Sequence, residues 1–131
     1  MSFKLTYERR HHILLVSFEG VVTDEILLEG YQHVRRWFGV NGRCGNISDF
    51  TAVTDFKVTG RSIRYLASNT PLVPGGLLRI IVAPRDDVYG MARMFEMQGS
   101  DMGNRVDIVR NLSDAYALAG LVNPDFEAIT D

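Results

Sequence analysis

The stretch Leu77–Met97, LLRIIVAPRDDVYGMARMFEM, decides how this chain folds. Its first part, LLRIIVA (77–83), is apolar throughout and too short for a buried helix, so it reads as a strand covered on both faces. Asp86 then serves as an N-cap, and the following residues form a helix over about 86–99. At 100° per residue, Val88, Met91, Ala92, Phe95 and Gly99 share one arc and build core. Gly90, Met94 and Met97 fall on the opposite side, where a solvated helix prefers Lys, Glu or Gln, and Tyr89 and Arg93 flank that side at i and i+4. A strand buried on both faces followed by an amphipathic helix is the mark of a layered α/β domain.

Downstream, RVDIV (105–109) reads as another strand, and NLSDAYALAGL as a short helix ending around Gly120. Residues 122–131 lack periodicity, and they form a tail that is either loose or docked through Phe126 and Ile129, for instance over the methionine side of the helix at 86–99. Upstream, FKLTY (3–7) and ILLVSFEG (13–20) read as two strands joined through the polar ERRHH. Thr23 caps a helix over about 23–38, with Asp24 and Glu25 in its first turn and Arg35 and Arg36 in its last. Leu27, Tyr31, Val34 and Phe38 form its apolar stripe, with Trp37 at the edge. CGNISDF (44–50) predicts a short strand, and TAVTDFKVTG (51–60) a loop rich in Thr and Asp. A second helix starts near Thr59 or Gly60, places Ile63, Leu66 and Ala67 on one face, and ends before Pro71.

The order β-β-α-β-α-β-α-β-α predicts a single-domain mixed sheet, antiparallel at the opening hairpin and parallel where helices connect the strands. With 131 residues the chain suits one core. The expected domain spans 1–121 and the tail 122–131.

Composition narrows the function classes. Fourteen Lys and Arg stand against sixteen Asp and Glu, so nothing draws the chain to nucleic acid or to an anionic membrane. The apolar runs are far shorter than the ~20 residues of a membrane span. The start, MSFKLTYERR, has no apolar core of the kind a signal peptide carries, and Cys44 is the only cysteine, which together predict a cytoplasmic protein without an internal disulfide.

No phosphate loop, dinucleotide fingerprint, nucleophile elbow or zinc helix occurs, and no motif asks for a cofactor or a metal. His11 and His12 are adjacent and lack ligands at metal spacing, and His33 lies away from its helix's apolar stripe. Cys44 reads as a buried thiol rather than a nucleophile. Asp49 and Asp55 flank the Thr-rich segment at a strand's C-terminal end, the edge where open α/β sheets place ligands; either they bind a cation or a hydroxyl there, or they make Asx turns. Thr59 is either an ordinary N-cap or a phosphorylation site whose phosphate the helix dipole and Lys57 or Arg61 would stabilise.

The order of elements, D-F-T-A-V (Asp49–Val53), the Thr59-Gly60 helix start, LLRIIVAPRD and YGMARMFE resemble the bacterial SpoIIAA-like branch of the STAS domains, over about residues 12–121. The resemblance implies a small sheet with helices mainly on one face and no catalysis. Its anti-sigma-factor antagonists are phosphorylated by a partner kinase at the position matching Thr59. They carry D-S-[ST]-G where this chain has Lys57-Val58-Thr59-Gly60. Other members of the branch resemble lipid carriers. The resulting expectation is a non-enzymatic regulatory or interaction module that contacts a protein partner or a second copy of itself through Tyr89, Gly90, Arg93, Met94 and Met97, together with the loop expected at 51–60. The alternative is a carrier or sensor of a small apolar ligand, entering near PLVPGG (71–76) between the second and third helices.

Overall fold

A computed structural model describes residues 2–69, 76–100 and 105–129. Its elements run β1 (Phe3–Glu8), β2 (Ile13–Thr23), α1 (Asp24–Asn41), β3 (Gly45–Lys57), α2 (Gly60–Ser68), β4 (Arg79–Val82), α3 (Asp86–Gly99), β5 (Asp107–Val109), α4 (Leu112–Ala119) and β6 (Phe126–Ala128). The six strands form one mixed sheet in the order β5-β4-β3-β2-β1-β6. β1 is antiparallel to β2 and to β6, while β2, β3, β4 and β5 run parallel.

That order dictates the layers. From β2 to β5 each strand is added beside the one before it, and right-handed crossovers that advance in one direction deposit their helices on one face. Accordingly α1, α2 and α3 cover a main core containing Leu14, Val16, Phe18, Val34, Leu66 and Phe95. The chain then leaves the β5 edge and returns across the sheet to reach β1, so α4 covers the other face. There Ala115 and Leu121 meet Ile13, Leu15, Ile47, Ile80 and Val82. Alternation along β4 sends Ile80 and Val82 to this smaller core and leaves Arg79 and Ile81 facing the three helices.

The helices start largely where their caps predict. Thr23 accepts a hydrogen bond from the Ile26 amide, and Thr59 from the Ser62 amide, each at 3.3 Å. α1 runs on past residue 38 through Gly39 and stops at Gly42, whose φ of 88° no other residue adopts cheaply. Gly30, inside α1, is required by close approach: a Cβ there would stand 2.6 Å from the Phe18 ring. That ring stacks on Phe50, with centroids 4.9 Å apart.

Three expectations need correcting. Residues 51–57 are strand, not loop: β3 continues to Lys57 by pairing with β2, and two bulges, between Ser17 and Glu19 and between Gly20 and Val21, take up the extra residues of β3. The chain from 126 to 128 is a sixth strand at the edge of the same sheet, hydrogen-bonded to β1, so it is neither loose nor laid over α3. The N-cap of α3 is Arg85, without a side-chain cap, because Asp86 is turned to Arg110 at 3.1 Å. Among the described residues no helix is long and apolar enough to cross a membrane.

Candidate functional site

The main core is not filled. Between the sheet and α1, α2 and α3 lies a chamber of about 80 Å³, half open to the surface and several times the space a single water needs. β2 contributes Val16 and Phe18 to it, and α1 contributes Leu27, Gly30, Tyr31 and Val34. Asn46, Ser48 and Phe50 follow one another at alternate positions of β3 and so share its helix-facing side. Ile63 and Leu66 come from α2, and Val88, Met91, Ala92 and Phe95 from α3.

Arg79, the first residue of β4, also lines the chamber although only 9% of it is exposed. Among the described lining residues it is the only charged one. Its guanidinium carbon lies 5.0 Å from the Phe95 ring centroid, a favourable cation–π distance. Burial lowers its basicity, an effect that Tyr31 partly offsets. Asn46 stands beside Arg79 in register, buried, and its side-chain amide donates to the Leu14 carbonyl at 3.0 Å. Its side-chain oxygen accepts from the Ser48 hydroxyl at 3.5 Å. The chamber therefore has a polar end, built at the N-terminal ends of β3 and β4, and an apolar remainder.

None of these polar residues was singled out from the sequence. The available signal was an Arg inside LLRIIVA, because a charged side chain in a strand buried on both faces must enter one of the two cores. Nothing in the pattern said which core has space for it.

The residues that the sequence did single out are scattered. Asp49 is buried on the opposite face of the sheet and accepts hydrogen bonds from the Thr51 amide and hydroxyl, the Asx-type arrangement. Asp55 lies further along β3, half-buried, and pairs with Lys57 at 3.7 Å. Because β3 is unbroken, the two do not frame a loop, and no cluster of His, Cys, Asp and Glu among the described residues has the makings of a metal site. Cys44 is buried and its thiol donates to the Gly45 carbonyl; burial pushes its pKa up, the reverse of what a nucleophile needs. His11 bonds to the buried Glu8, and His12 to the Tyr7 hydroxyl.

The third-helix face also changes character. Met94 is half-buried and packs towards Gly60, where a Cβ would lie 3.8 Å from its sulfur. It seals α3 against α2 rather than facing solvent. Met97 is 70% exposed, and Gly90 borders open space. Tyr89 lies under the Arg110 guanidinium at 3.9 Å and shares a hydrogen bond with Arg93, which also pairs with Glu96 at 3.3 Å. The apolar surface left on α3 is one methionine. Residues 71–75 of PLVPGG lie outside the described residues.

Thr59 does more than cap α2. Its amide donates to Asp24 Oδ1 at 2.8 Å and its hydroxyl to Asp24 Oδ2 at 2.9 Å, so the first turn of α1 is tied to the first turn of α2. The hydrogen bond donated by the Thr59 amide is the main reason the Asp24 carboxyl lies below its ordinary 3.8; burial opposes it, and the Thr59 and Ser62 hydroxyls add to it. A phosphate on Thr59 would stand directly against this carboxylate and break the tie. Thr59→Ala is expected to destabilise the protein by about 1 kcal/mol through the lost cap, measured by urea unfolding. A carboxyl depressed in the folded state contributes stability above its unfolded pKa and loses it as pH falls through the folded one. Wild type should therefore weaken relative to Asp24→Asn as pH drops below about 4, and parallel stability curves for the two would disprove the tie.

No family model, curated protein or solved structure matches this chain.

Proposed function

We propose that this chain is a non-catalytic binding module that takes up a small, largely apolar molecule in the chamber beneath α1, α2 and α3. The observation that carries this reading is the chamber itself: an apolar space inside a core, with its few polar groups gathered at one end, the usual arrangement of a small-molecule site. Natural cores pack to the density of organic crystals, and unfilled volume forfeits dispersion contacts. Among the described lining residues none is a His, Cys, Asp or Glu, which favours binding over acid–base or nucleophilic chemistry. The order of elements and the resemblance to the SpoIIAA-like branch, with its carrier-like members, support the same reading. Docking of a protein or a second copy through α3 has less surface behind it, since Met94 is already engaged by α2 and a lone exposed methionine is ordinary.

Methyl NMR of the whole protein titrated with hexan-1-ol tests the proposal. Shifts are expected at Val16, Val34, Ile63, Leu66 and Val88, which line the chamber, and not at Ile47 or Ile80 in the opposite core. Ala92→Leu places added carbons in the chamber and should abolish the response with a stability change of less than about 1.5 kcal/mol, because the added volume is accommodated. Unmoved chamber methyls in wild type, or a full response in Ala92→Leu, would sink the idea.

A further inference from the structure

We infer that the ligand of the chamber carries a single aromatic ring, seated in the corner that the Phe50 and Phe56 rings make with one another. This rests on the reading that the chamber takes up a small molecule, and it names the chemical class.

The corner is a product of the bulges in β3. Phe50 and Phe56 stand six residues apart, about 20 Å along a straight extended strand, yet their ring centroids are 5.9 Å apart and their planes cross at 89°. β3 carries its extra residues between Asp49 and Ala52 and between Val53 and Asp55, and a bulged strand bends. The bend brings Phe56 back towards Phe50, and both rings line the chamber. Behind them the wall is fixed. Phe18 stacks on Phe50 within 5° of parallel, Phe3 packs on Phe18 at 5.8 Å, and Gly30 lets α1 close on the Phe18 ring. Phe18 and Phe50 are both buried, so the aromatic wall stands before a ligand arrives and little ordering is left to binding.

Size and ring geometry select the ligand. A dry cavity of ~150 Å³ admits benzene, and the chamber is about 80 Å³ and half open. One ring therefore fills it, with any substituent in the open half, whereas a fused ring system or a long chain would leave most of its surface in water. Aromatic pairs favour edge-to-face and offset contacts at centroid separations of about 4.5–7 Å over a face-to-face sandwich. Two rings at right angles suit this preference, because a third ring beside them turns its edge to one face or its face to one edge. An aliphatic ligand of the same size gains the burial against Val16, Leu66 and Val88 but not the attraction between ring quadrupoles. The preference for an aromatic ring over its saturated counterpart thus reports on the corner.

The test titrates wild type and Phe56→Leu with benzyl alcohol and with cyclohexylmethanol, followed by methyl NMR. The two share a six-membered ring and a hydroxymethyl group, and the saturated one has no π-system. In wild type benzyl alcohol should bind about threefold or more tightly, with nuclear Overhauser contacts from its ring protons to those of Phe50 and Phe56. Cyclohexylmethanol carries more hydrogens on its ring and leaves water more readily, so this preference cannot come from apolar burial. Phe56→Leu keeps an apolar side chain at a half-buried position and should remove the preference. If that variant does not fold, the wild-type ratio and the ring-to-ring contacts decide the matter. Cyclohexylmethanol binding wild type as tightly as benzyl alcohol would overturn the inference and leave the chamber proposal standing, and so would chamber methyls that respond to hexan-1-ol but not to benzyl alcohol. A preference undiminished in Phe56→Leu would also overturn it. If none of the three compounds moves a chamber methyl, the inference and the proposal it rests on fall together.

Discussion

Ile47→Ala should lower the stability of the protein by about 2–5 kcal/mol, which is a large share of the roughly 5–15 kcal/mol that holds a domain folded. Ile47 is completely buried on β3, between Leu15 of β2 and Ile80 of β4 in register, with α4 above it. Truncation there removes three side-chain carbons from the centre of the smaller core. The neighbours on both sides belong to hydrogen-bonded strands that cannot move inwards, so the cavity persists. Those strands also floor the main core, because Leu14 and Val16 alternate with Ile13 and Leu15 on β2. The loss should consequently appear in global unfolding: a lower urea midpoint with an unchanged slope. A cost below about 1 kcal/mol, or loss of α4 alone with the main transition unmoved, would show that the α4 layer is energetically separate.

A chain ending at Val122 should lose about 2 kcal/mol and begin to self-associate. Phe126 covers Tyr116 of α4, ring centroids 6.0 Å apart, and is half-buried in doing so. β6 pairs Phe126 with Glu8, Glu127 with Tyr7 and Ala128 with Thr6, and the Ile129 amide donates a hydrogen bond to the Leu5 carbonyl at 3.2 Å. The Arg9–Glu127 pair, 3.8 Å apart and well exposed on both sides, contributes little. Without β6 the outer edge of β1 presents unpaired amides and carbonyls, a template for another strand. Light scattering and thermal unfolding of the truncated chain would check both effects. An unchanged melting temperature together with a monodisperse monomer would reduce β6 to a dispensable appendage.

The elements that local chemistry specifies could be read without coordinates. Thr23 and Thr59 are caps, the stripes of the first three helices are core, and within LLRIIVA the strand Arg79–Val82 is covered on both faces while Leu77 stands exposed. Each of these rests on interactions within a few residues or on a period that burial imposes. The misreadings share one cause. Thr51–Lys57 has the composition of a loop and becomes strand through bulged pairing with β2, whose residues lie some thirty positions earlier. Phe126–Ala128 is three residues long, too short for a periodic signal, and is ordered by β1 at the far end of the chain. Met94 is off the core stripe of its own helix, yet a helical wheel contains no information about a second helix, and α2 covers it at Gly60.

The candidate site lies on the same divide. By itself the sequence determined a near-neutral, single-domain α/β chain of alternating strands and helices, without the signature of any common catalytic site. Only the tertiary structure decided that Arg79, Asn46 and Ser48 meet at one end of an apolar chamber, and that Asp49, Asp55 and Cys44 do not meet at all. The physical reason is that period and capping depend on neighbours in the chain, whereas a cavity is what remains after three helices, with side chains of fixed volume, settle on a twisted sheet. That residual volume belongs to no segment, so no segment encodes it.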